Sequence, residues 1–147
     1  MYIWTDPKYR IKRSAAQEKQ MQYLTQSSDM KIFQSYSQII MASAIVGYLY
    51  DAYDPKFEPA SDGILMQFFT QRDYDVMDFL AYAHKKEQSI LKTTDKYDIV
   101  SAYANGGFPI LMEKLGINFD EPEKNNRLAI LRKYYRFLLE QNALFVK

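Results

Sequence analysis

An all-α domain of five or six helices is the fold this sequence predicts, and three observations predict it. After residue 14, apolar residues recur mostly at three- and four-residue spacings, the period of a helix face. Residues that start and stop helices punctuate these stretches at short intervals. The 147 residues suit one domain long enough to bury a core. The expected organisation is therefore a single compact domain over residues 1–147, irregular or extended over 1–13 and helical over 14–145.

The elements follow in order. Tyr2-Ile3-Trp4 alternates like a strand but has no evident partner. Ser14 is placed to cap a helix through about residue 24, before the polar break Thr25-Gln26-Ser27-Ser28-Asp29. Ser35 and Gln38 form an S-x-x-Q capping box ahead of a helix reaching about residue 50. Its apolar residues, Ile39 through Leu49, cover nearly the whole circumference, as in a helix central to a bundle. Gly47 permits a close crossing there. Residues 51–63, with Pro55, Pro59 and Gly63, read as a surface loop. Residues 64–70 are short and apolar, and periodicity leaves strand and helix start equally open. Asp73 is the expected cap of the next helix, with Tyr74, Met77, Leu80 and Ala81 on one stripe. Thr94 or Asp95 starts another, with Tyr97, Val100, Tyr103 and Ala104 facing inward.

Next comes Ser101-Ala-Tyr-Ala-Asn-Gly-Gly-Phe-Pro-Ile-Leu111. Two adjacent glycines cost a helix interior roughly 1 kcal/mol each relative to alanine, and belong where φ is positive or elements approach closely. Pro109 suits the first turn of a helix. The segment reads as a joint built from Tyr103, Asn105, Gly106, Gly107 and Pro109. One helix should end there and a short one begin at Phe108, closing at Gly116 with Ile117 packed back. Pro122 then introduces a last helix to about residue 142. Its main stripe, Leu128, Leu131, Tyr135, Leu138 and Leu139, is expected to face the core. Ile130, Tyr134 and Phe137, on the opposite side, are the expected interface.

Composition narrows the function. A net charge of +1 gives no general pull toward nucleic acid or anionic lipid. The absence of cysteine excludes disulfide scaffolds, thiolate metal sites and a cysteine nucleophile. No apolar stretch is long enough to span a bilayer, and the first residues lack signal-peptide order, so the expectation is a cytoplasmic protein without a membrane. Charge is uneven: six Lys/Arg against three Asp/Glu in residues 1–31, and two against seven in 51–79. Such a distribution suits electrostatic docking or simply solvated helix faces. Aromatic residues reach 16%, more than a small core readily buries, which suggests contact surfaces or a tyrosine-rich rim.

No phosphate-loop, dinucleotide or nucleophile-elbow pattern occurs. The single histidine, His84, has no second imidazole or spaced carboxylate to make a metal site. Asp73, Asp75 and Asp78 read as a cap and a solvated face. No catalytic residue, cofactor or small-molecule ligand is expected. Candidate nucleic-acid contacts are Lys124, Arg127, Arg132, Lys133 and Arg136, with a second basic cluster at Lys8, Arg10, Lys12 and Arg13. Phosphate contacts from such residues would be salt-sensitive and sequence-neutral.

Two blocks carry a resemblance. Ile32-Phe33 through Met41, continuing into Ala44-Ile-Val-Gly-Tyr48, and Ile99 to Leu111 around Tyr103-Ala-Asn-Gly-Gly107 resemble a family of small bacterial proteins. These are encoded beside Dnd-type DNA phosphorothioation genes and related DNA-modification or anti-phage defence loci. Phe79-Leu-Ala-Tyr82 falls where that family has its middle helix, so the resemblance spans roughly residues 30–116. Positions that are acidic in the family, just before the Tyr103-Ala-Asn-Gly-Gly107 run, here read Val100-Ser101-Ala102, so no acidic site is carried over. The resemblance implies a non-catalytic accessory or scaffold subunit that docks onto larger ATPase or nuclease components. The alternative is a small helical DNA-binding module using the basic terminal segments.

Overall fold

The computed structural model describes residues 5–146, with side chains described through residue 140; Tyr2, Ile3 and Trp4 lie outside them. Five α-helices occupy the described residues: α1 (Glu18–Gln26), α2 (Tyr36–Leu49), α3 (Gln71–Lys85), α4 (Asp95–Leu115) and α5 (Arg127–Val146). A short antiparallel ladder joins β1 (Arg10–Ile11) to β2 (Ile64–Leu65), with Ile11 opposite Ile64. The extended N-terminal segment thus pairs with the start of the ambiguous 64–70 stretch. That stretch then makes a 3-10 turn at Met66–Phe68. Packing against a distant strand, which local periodicity does not encode, decided between the two readings.

Helix α2 is the centre of the domain, and its largest contact is with α4. Ser35 Oγ accepts from the Gln38 N–H at 3.4 Å, while Gln38 Oε1 accepts from the Gln34 N–H at 2.9 Å. The expected box is present, with its return bond reaching one residue further out. Ile39, Ile40, Ala44 and Val46 are fully or almost fully buried.

The expected joint is not a break. Helix α4 runs without interruption through Gly106, Gly107 and Pro109, and neither glycine has positive φ. They are small because α2 and the chain just after it press directly on them. A methyl group at Gly107 would fall on the Ser43 carbonyl of α2, one at Gly106 on the Ala52 carbonyl, and one at Gly47 on the Tyr103 carbonyl. Close backbone approach, the other reason for glycine, is what the sequence encoded here. Pro109 survives inside the helix because the carbonyl its missing N–H leaves free, that of Asn105, has a substitute donor. Gln17 Nε2 donates to it at 3.1 Å, and Asn105 Nδ2 donates to the Asp54 carbonyl at 3.1 Å.

Other helix ends shift for local reasons. Ser14 makes no side-chain cap; a 3-10 turn, Ala15–Gln17, precedes α1, and Ser14 instead bridges to Pro59. Thr70 caps α3, with Asp73 as its reciprocal partner at the third position. Pro122–Lys124 is a separate 3-10 turn, and Asn126 Oδ1 accepts from the Ala129 N–H at 3.1 Å at the start of α5. Gly116 closes α4 at φ 68°, and the Ile117 N–H reaches back to the Met112 carbonyl at 3.2 Å, as expected.

Candidate functional site

Over its described side chains, through residue 140, helix α5 is held to the body along one side. Ile130, Tyr134 and Phe137 are 2%, 8% and 7% exposed and belong to the core. Tyr134 meets Phe33 edge-on, ring centroids 4.8 Å apart, and burial pushes its phenol up to about 12. Arg127 Nε donates to the Lys31 carbonyl at 3.0 Å, and Asn125 Nδ2 donates to the Tyr23 hydroxyl at 3.1 Å. The expected interface stripe is therefore the inner stripe, because the segment around Phe33 folds back to cover it.

The stripe assigned to the core lies outside. Leu128, Tyr135 and Leu139 are 60%, 58% and 72% exposed, Leu138 is 40% exposed, and Leu131 is half-buried. Beside Leu138 the surface dips into a hollow of about 360 Å³ lined by Met41, Ala42, Ile45 and Phe68 on its apolar part and by Ser35, Ser37, Gln38, Thr70 and Asp73 on its polar part. Phe68 is itself exposed; the Phe68-Phe69 pair divides, one ring out and one in, and nothing in the local sequence marked which.

The expected basic residues of this region all lie on the surface but are not gathered into one patch. Lys124 pairs with Glu121 at 2.9 Å. At about 100° per residue, Arg132, Arg136 and Lys133 fall along one edge of the apolar ridge and Arg127 along the other. No ion pair among the described residues engages these four. The second basic cluster is dispersed: Lys12 reaches Asp98 at 3.6 Å. Arg13 is buried against Glu18 at 2.8 Å and lies over the Tyr36 ring.

A second constellation escaped the sequence reading. His84 stacks on Tyr53 with centroids 4.2 Å apart, and its Nδ1 lies 2.9 Å from the Tyr103 hydroxyl. Tyr48 and Phe79 extend the ring cluster. Burial, then the neighbouring Lys85 charge, lowers the imidazole below its ordinary 6.5. The cluster clamps the loop after α2 against α3 and α4. Asp78, expected on a solvated face, pairs with the buried Lys96 at 2.8 Å. Among the described residues no group of three or more His, Cys, Asp or Glu side chains could hold a metal, and no helix is long and apolar enough to cross a membrane.

Fold and surface together define a small helical domain whose most distinctive exposed feature is an apolar helix face edged by cations. The sequence profile of the family described as DNA sulphur modification system-associated protein 4 matches residues 10–141. The chain belongs to this Dnd-associated family, and the match extends past both ends of the 30–116 resemblance. No curated protein and no solved structure matches the chain.

Proposed function

We propose that this protein is a non-catalytic accessory subunit of a DNA sulphur modification system with an anti-phage role, acting in the cytoplasm. It docks onto a larger protein component, an ATPase or nuclease subunit, through the outer face of α5. The observation that carries this reading is the exposure of Leu128, Tyr135 and Leu139 on one helix face. Large contiguous apolar surfaces on small domains mark binding sites. Family membership supplies the setting.

The test is co-purification from cells carrying the chain's own locus. A Leu128→Glu, Leu139→Glu double variant should melt like the wild type and lose its large partner. Unchanged co-purification would remove α5 as the docking face. A second reading, direct DNA contact, draws on the unpaired Arg132, Lys133 and Arg136. Generic duplex should bind the isolated protein weakly at physiological salt. Tight, salt-sensitive binding abolished by Lys133→Glu with Arg136→Glu would favour DNA instead.

A further inference from the structure

The outer apolar side of α5 forms a ridge with heptad spacing, in which Leu128, Tyr135 and Leu138 are exposed and Leu131 half-buried, with Leu139, the most exposed, on its flank. Leu128, Leu131, Tyr135 and Leu138 are separated by three, four and three residues, the alternation of the a and d positions in a coiled coil. Residues so spaced stack into a straight ridge along α5, the shape along which a second helix packs side by side. We propose that this face is a coiled-coil seam whose occupant is a helix of the larger subunit, apolar at its own a and d positions and acidic at the flanks. The inference rests on the docking reading above and specifies its chemistry.

Charge selects the occupant. In this register Arg127 and Arg132 take the flanking g and e positions beside the first a and d pair, and no ion pair among the described residues neutralises either. A second copy of the chain is disfavoured in both orientations. A parallel pairing sets Arg127 against Arg132 of the other copy, and an antiparallel one over the same a and d residues sets Arg132 against its own equivalent. Glu or Asp at the partner's flanks satisfies both guanidinium groups. The ridge's two sides also differ, with Arg132 and Arg136 along one edge and the hollow beside Leu138 at the other. That hollow, part apolar and part polar, can take a partner side chain outside the seam on one side alone, which distinguishes the two ways the partner helix could face. The described seam spans fewer than two full heptads, too short to hold a free helix, so the partner helix belongs to a folded subunit.

The test places a photo-crosslinking benzoylphenylalanine at Tyr135 in the full-length chain, with the same probe at the exposed Tyr82 of α3 as a control, in cells carrying the locus. The Tyr135 probe should capture one segment of a larger subunit, and its sequence should show apolar residues at alternating three- and four-residue spacing flanked by Glu or Asp. Arg132→Glu, alone and with Arg127→Glu, should weaken the complex about tenfold or more without altering the melting transition. Reversing the facing acid to Arg in the partner should restore binding. Capture of a segment lacking the heptad, or arginine variants that bind normally, overturns the coiled coil while docking through α5 stands. Capture of the chain's own α5 makes the occupant a second copy and overturns the proposal. No capture, together with normal co-purification of the Leu128→Glu, Leu139→Glu variant, overturns both readings.

Discussion

Helices α4 and α5 are nearly equal in length, 21 and 20 residues, and both are rich in apolar side chains, yet they sit in the protein in opposite ways. Helix α4 is gripped from several directions: α2 along its glycines, α3 beside it, and Gln17 and the loop after α2 at Asn105. Helix α5 keeps one stripe in the core and leaves its leucine ridge to solvent. The difference teaches that apolar content alone does not make a helix central. Helix α4 can be surrounded because Gly106 and Gly107 let neighbouring backbone come within contact distance, whereas the bulky side chains of α5 hold other elements away.

The strongest way to break the comparison is to give α4 a side chain where it has none. In an exposed helix, glycine to alanine stabilises by about 1 kcal/mol. Gly107→Ala should do the reverse and cost about 3 kcal/mol or more, since the added methyl collides with backbone that cannot swing aside. Gly107→Val should lose the cooperative thermal transition altogether. Wild-type melting of both variants would mean that the crossing is looser than described.

The next largest effect contrasts the two faces of α5. Phe137→Ala should cost about 3–5 kcal/mol by opening a cavity in the core. Leu139→Ala should change stability by no more than about 0.5 kcal/mol. Urea denaturation of the two variants side by side decides it, and equal losses would return the leucine ridge to the core.

A smaller effect sharpens the account of Pro109. Gln17→Ala strips the Asn105 carbonyl of its substitute donor and should cost about 1–2 kcal/mol. Because Pro109→Ala restores the helix's own N–H, it should be more favourable in the Gln17→Ala background than in the wild type. A double-mutant cycle measures that coupling; additive effects would show that the two residues act independently.

The smallest effect is a pH slope. The folded state holds His84 below its ordinary 6.5, so the unfolded chain takes up the proton first. Its contribution to stability is complete above pH 6.5 and declines as the pH falls from there toward the lowered folded value. His84→Gln should flatten that part of the melting-temperature profile. A slope as steep in the variant would assign it to other groups.

Much was legible along the chain. The Ser35–Gln38 cap, the all-round apolar helix behind it, the Gly116 stop and the inner faces of α3 and α4 follow from periodicity and backbone chemistry acting over a few residues. Those interactions are local, so the residues that make them stand side by side in the sequence. The blocks around Phe33 and Tyr103 likewise led to the correct family. Three things needed the assembled structure. The glycine pair has two physical uses, a positive φ or a close neighbour, and only the position of α2 decided for the second. The ladder between Ile11 and Ile64 joins residues far apart in the chain, so no local pattern could pair them. Helix α5 carries two apolar stripes, and which one is core depended on where the Phe33 segment lay. The sequence by itself determined that two apolar stripes existed; burial, a property of the whole fold, decided which of them was left to solvent.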